Sequence, residues 1–192
     1  MRRLLNLAII GLAIVIAGNI INCSGGSNDS APNVSGSSST VQPISCDSGT
    51  VQIDQVLEID AEGQGPAIFA TGNCNVVINS PGGVSLTNCP NCIRVLDNSS
   101  IEINANSSIL IDSTVDAIWA QGNATVMLQA NEKISITSTG EDGIDVENDS
   151  LVTLNAPDCI IRSFDLPIDK SGNGVVDTTG CTNSDFESVP QT

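Results

Sequence analysis

The sequence has no histidine, no tyrosine and one tryptophan, and aromatic residues make up only 2% of it. Without histidine the chain lacks the side chain that most readily changes charge near neutral pH, so the commonest general acid–base group is missing. Without bulky rings, any core built from these 192 residues must be made of Ile, Val, Leu and Ala. Positive charge is scarce too: six Lys and Arg stand against 22 Asp and Glu, for a net charge of −16. A surface of that sign repels phosphate backbones and anionic headgroups. Nucleic acid is therefore excluded as a partner, and cations or basic protein patches are favoured.

What the chain does carry begins at its N-terminus, where Met1-Arg2-Arg3 precedes the apolar run LLNLAIIGLAIVIAGNII, interrupted only by Asn6 and Asn19. A basic start followed by an apolar stretch is the layout of an export signal, although residues 4–21 also reach the length of a short membrane span. The run ends in Ile20-Ile21-Asn22-Cys23 and a Ser/Gly/Asn segment. This junction resembles the lipobox of bacterial lipoproteins, with Asn22 where a small residue is usual and Ile20 where Leu is commoner. The resemblance covers the first two dozen residues. It implies a signal peptide over 1–22, lipidation of Cys23 with acyl chains such as palmitate, and, from Ser24, forwarding to the outer membrane or cell surface. The membrane would then be a partner through the N-terminal lipid, since two or three acyl chains anchor stably where one does so marginally. Residues 23–40 are too polar and glycine-rich to fold, and are expected to form a flexible tether.

Beyond the tether the chain repeats itself. Counted from Ile68, Ile93, Ile118 and Ile144, the spacings are 25, 25 and 26 residues. Equivalent positions then carry Ala70, Val95, Ala120 and Val146; Val76, Ile101, Val126 and Val152; Ile78, Ile103, Leu128 and Leu154. Further along, Val84, Ile109, Ile134 and Ile160 recur, followed by Leu86, Ile111, Ile136 and the exception Arg162. Each unit holds three short runs of alternating character, the mark of half-buried strands, with Gly, Asn and Asp at the corners between them. Three strands per unit without a helix predict an all-β coil, a right-handed parallel β-helix of about five rungs. An antiparallel sandwich would show similar strands but gives no reason for a 25-residue recurrence.

On this reading residues 41–164 form the β-helix and residues 165–192 a C-terminal cap and tail. Val51, Ile53, Leu57 and Ile59 supply an incomplete opening rung, with residues 40–50 and 164–185 as candidate end caps. Arg162 implies either a one-residue slip that turns Cys159 and Ile161 inward or the end of the coil. Asn73, Asn98 and Asn123 fall at equivalent corners and are expected to stack as a ladder.

Leaving Cys23 aside, six cysteines remain in an exported chain, and an even count there reads as three disulfides. Six cysteines allow fifteen connectivities. Proximity along the coil favours Cys46 with Cys74, Cys89 with Cys92, and Cys159 with Cys181. A redox role for Cys89-Pro-Asn-Cys92 would need a helix N-terminus, and a zinc site would need a second close pair, so structural bridges are preferred.

Two motifs invite chemistry. Glu141-Asp142-Gly143-Ile144-Asp145 is similar to the Asp-Gly-Ile-Asp run of polygalacturonase-like hydrolases, which implies Asp142 and Asp145, with Asp116 one rung away, as paired carboxylates. The chain has no histidine or basic pair to hold a uronate, and Asp-Gly also makes a plain turn, so the protein is expected not to be an enzyme. Asp169-Lys-Ser171-Gly-Asn173-Gly174-Val-Val-Asp177 resembles the start of an EF-hand or dockerin calcium loop, implying Asp169, Ser171, Asn173 and Asp177 as ligands. Gly180 replaces the bidentate acid at its twelfth position, so calcium would bind weakly; the same residues also suit a polar turn in the cap.

With Ile118 and Ala120 inward, Trp119 must point outward. Phe69, Arg94 and Asp145 occupy its position on neighbouring rungs, so an outward column Phe69, Arg94, Trp119, Asp145 is expected. Aromatic faces beside a cation and carboxylates suit a sugar, and the same groups favour a protein contact or simple cross-strand packing. The sequence thus favours a non-catalytic, lipid-anchored surface protein binding a glycan or an extracellular protein. A small polysaccharide-active enzyme and a calcium-stabilised structural protein are its alternatives.

Overall fold

The aliphatic columns become the inner wall of the molecule because strand pleating sends every second side chain to the same side. The computed structural model describes residues 21–23, 39–40 and 42–189. The expected signal segment and tether, and the side chain of Cys23, lie outside the described residues, apart from the backbone of two short strands, β1 (Ile21–Cys23) and β2 (Ser39–Thr40).

The remaining strands wind in turns. The first turn holds β3 (Ile44–Ile53) and β4 (Leu57–Asp60), the second β5 (Ile68–Ser80) and β6 (Val84–Cys89). The third holds β7 (Ile93–Asp97), β8 (Ser100–Ala105) and β9 (Ser108–Ser113); the fourth holds β10 (Ile118–Gly122), β11 (Thr125–Ala130) and β12 (Lys133–Ser138). The fifth holds β13 (Ile144–Val146) and β14 (Leu151–Ser163), and the sixth β15 (Ile168–Lys170) and β16 (Val175–Ser188). Every turn pairs in parallel with the next. No helix occurs among the described residues. The fold is a parallel β-helix.

It has about six turns where five were expected. Residues 44–50 are not a cap but the start of β3, with Ile44 and Cys46 buried. Residues 168–188 likewise form a sixth turn in place of the expected C-terminal cap. The period fails to reveal that turn because its inner positions fall to Val176, Cys181 and Phe186, all half-buried, and because the register shifts opposite Thr153 and Asn155.

Isoleucine heads every turn. Ile44, Ile68, Ile93, Ile118, Ile144 and Ile168 pair in sequence along the axis. The first five are fully shielded and Ile168 is half-buried. The slip at Arg162 also occurs: Ile134 pairs with Cys159 and Ile136 with Ile161, and both newcomers are buried. Arg162 instead faces outward and reaches Asp185 at 2.9 Å and also Glu187. Because these are exposed ion pairs, they add little to stability.

In-register stacking lets one amide donate to the next at the corners. Asn123 donates to Asn98 at 3.0 Å and Asn98 to Asn73 at 3.5 Å, so the expected ladder forms. A second ladder, which no motif signalled, runs from Asn104 to Asn79 at 3.1 Å and on to Asp54 at 2.9 Å. The three bridges form as proximity favoured, Cys46–Cys74, Cys89–Cys92 and Cys159–Cys181. The first joins turns one and two and the last joins turns five and six.

Candidate functional site

The outward positions of the first strand in each turn form one continuous row. Ser45, Phe69, Arg94, Trp119, Asp145 and Asp169 are successive partners along it. Parallel pairing sets neighbours about 4.8 Å apart, close enough for side chains on this row to meet. The Arg94 guanidinium lies 4.3 Å from the Trp119 ring centroid and 5.6 Å from that of Phe69, so rings flank it on both sides. Its Nε is buried and finds no hydrogen-bond acceptor among the described residues. The ring faces therefore take the place that a carboxylate would usually fill.

Trp119 is fixed at its edge as well. Its Nε1 donates to Glu147 at 3.3 Å, and Gln121 donates to the other Glu147 oxygen at 2.6 Å. Cation, indole, carboxylate and amide are thus held as one half-buried surface before any ligand arrives, which lowers the ordering cost of binding.

Next to Trp119 the row turns acidic. Burial pushes the Asp145 carboxyl up to about 7, helped by the neighbouring carboxylates of Glu147, Asp116, Asp169 and Asp142. Burial also raises Asp116 and Asp142. These two, the other members of the hydrolase-like motif, have structural employment: Asp116 accepts the Asp142 backbone amide at 3.2 Å and Asn91 at 3.1 Å, while Asp142 accepts the Leu166 amide at 2.9 Å. They act as corner caps from one turn to the next. Asp145 points out from the strand and has no such bond among the described residues.

A raised carboxyl destabilises the fold as pH climbs. The unfolded chain gives up the Asp145 proton near its ordinary value of 3.8, and the folded chain holds it to about 7, so stability falls between those values and is flat above them. Asp145→Asn should remove this term and raise stability at pH 8 by ~1–2 kcal/mol after solvent screening, with little change at pH 4. Thermal melts of the two proteins at both pH values provide the check, and an equal gain at pH 4 would count against the titration.

The four residues of the calcium-like segment are spread over a strand–turn–strand. Asp169 lies on β15 and its carboxylate accepts the Lys170 amide at 2.8 Å; Asn173 donates to Asp149 at 2.7 Å. Asp177 lies on β16 and accepts both the amide and the hydroxyl of Thr179, at 2.9 and 2.7 Å. Ser171 sits between them, its amide bonded to the Val146 carbonyl. Among the described residues no group of three or more His, Cys, Asp or Glu is arranged to hold a metal ion.

An open cavity of about 390 Å³, which was not among the sequence-based expectations, lies at the head of the row, and its lining includes Pro43, Ser45, Asp60, Glu62, Pro66 and Phe69. Its signal was present. The corner from Asp60 to Ile68 spans eight positions, whereas the equivalent corners from Thr87 to Ile93 and from Asp112 to Ile118 span six. The extra chain bulges into a wall. No family model matches the chain, nor does any curated protein or solved structure.

Proposed function

We propose that this protein is a non-catalytic binding module, displayed from a membrane by lipid on Cys23, that takes a glycan on the first-strand face around Trp119. The observation that carries the reading is the flanked Arg94, because it fixes two half-buried aromatic rings on one outward row next to the hydrogen-bonding groups of Gln121 and Glu147. Sugars present an apolar ring face and a rim of hydroxyls. A rigid ring beside paired acceptors matches both at once. The strongly negative charge, −16 for the full sequence and more negative once Arg2 and Arg3 leave with the signal segment, fits display at a surface where solubility matters and where anionic partners are turned away.

Trp119→Ala should remove glycan binding, with a loss of at least tenfold in affinity, because it deletes the stacking surface and frees Arg94 and Glu147 to move. Binding to an immobilised glycan array, with an unchanged circular dichroism spectrum as the folding control, decides the matter. Retention of the wild-type profile by the variant would assign this face to packing alone.

A further inference from the structure

The cavity at the head of the row points to a more definite ligand. We infer that it receives a saccharide unit bearing a protonated amino group, an assignment that rests on the glycan reading above and narrows it.

Three observations lead there. The first is shape and continuity: Phe69 lines the cavity and also flanks Arg94, so a chain lying along Trp119 and Arg94 would reach the cavity without leaving the row. The walls beside Phe69 are Pro43 and Pro66, flat and apolar, which suits the face of a sugar ring.

The second is charge. The cavity is lined by two carboxylates, Asp60 and Glu62, and by no Lys or Arg. The nearest guanidinium along the row, Arg94, is covered by rings on both sides. An acidic sugar would meet only like charge here. A protonated amine would meet an acceptor.

The third is the division of labour between the two acids. Asp60 accepts the Glu62 backbone amide at 2.9 Å and the Asn88 side chain at 3.0 Å, bonds that hold its carboxyl below the ordinary range. It is a positioning residue. Glu62 is held by it at φ 51°, a left-handed conformation rare outside glycine, on the corner that carries the extra chain. Among the described residues no donor engages the Glu62 carboxylate, so it is free to accept from an ammonium group.

The test uses the full chain and two probes with the same sugar backbone, one bearing protonated amines and the other neutral acetamides: glucosamine oligomers and their N-acetylated counterparts, titrated by calorimetry at low ionic strength. The wild-type protein should bind the amine form about tenfold more tightly, the worth of one charge-assisted hydrogen bond. Glu62→Gln should equalise the two probes, whereas Glu132→Gln, at the corner before β12, should leave the preference intact and so rule out attraction to overall charge. Equal wild-type affinities, or a preference that survives Glu62→Gln, would overturn the cavity assignment and leave the Trp119 face standing. Failure of both oligomers to bind would overturn the amino-sugar assignment as well, while binding of other glycans on the array that is lost in Trp119→Ala would preserve the wider reading.

Discussion

Ile118→Ala is expected to lower the unfolding free energy by about 3–4 kcal/mol and the melting temperature by roughly 8–14 °C. Ile118 is fully shielded, with Ile93 paired on one side and Ile144 on the other. Those neighbours are pinned by backbone ladders above and below and cannot close on the space left behind. The cost should therefore lie at the high end of the range for large-to-small changes. The same substitution two turns later tests the explanation. Ile168 occupies the identical position in turn six but is only half-buried, and among the described residues it pairs with one neighbouring turn instead of two. Ile168→Ala should cost about 1 kcal/mol, since little apolar surface is removed from contact and solvent fills the gap. Urea unfolding of both variants measures the contrast. Similar losses at the two positions would show that the turns do not contribute as a stack of nearest neighbours.

Why the stack could be read from sequence, and where the reading stopped, follows from the same physics. A parallel coil places equivalent residues in contact, so selection for a filled interior writes a period into the chain, and Ile93, Ile118 and Ile144 are that period in its plainest form. Stacking also makes Asn73, Asn98 and Asn123 partners, and it brings Cys46 towards Cys74. Turn six was illegible because a half-exposed interior does not demand aliphatic residues: Cys181 and Phe186 fill places that earlier turns give to Ala156 and Ile161. The outward row was legible because alternation fixes direction as well as burial. Which of its members touch was not, since the lean of Trp119 towards Glu147 depends on side-chain torsions that no spacing encodes. The shift of Asp145 was hidden for a related reason: Glu147 is near in sequence, but Asp116 and Asp169 are neighbours only once the coil is wound. The capping bonds of Asp142 and Asp116, which accompany Asp145 in the hydrolase-like pattern, were not legible either, because corner-capping acids and paired catalytic acids on adjacent turns leave the same trace.

Removing the Cys46–Cys74 bridge, as Cys46→Ala with Cys74→Ala, is expected to cost roughly 3.5 kcal/mol, the loop-closure entropy released to the unfolded chain by a loop of 28 residues. The Cys159–Cys181 loop, of 22 residues, predicts nearly the same figure, and the three-residue Cys89–Cys92 loop less than about 2 kcal/mol. The two large effects should nevertheless look different. The inward positions of turn one are fully buried: Ile44, Val51, Ile53, Leu57 and Ile59 are all shielded, so losing its bridge weakens a turn that melts with the rest of the coil. Turn six is a thin layer whose core residues Ile168, Val176 and Phe186 remain half-buried, and its bridge supplies a large share of what holds it down. Without that bridge the turn should open by itself, below the energy of global unfolding. Amides of β16 would then exchange with deuterium ahead of those of β11, and proteases would cut within Val175–Ser188 while leaving the earlier turns intact. The Cys46–Cys74 variant should instead show exchange rising together across all six turns. If both variants lose protection uniformly, the coil unfolds as one body, and the bridge at its C-terminal end is not a local clamp on the last turn.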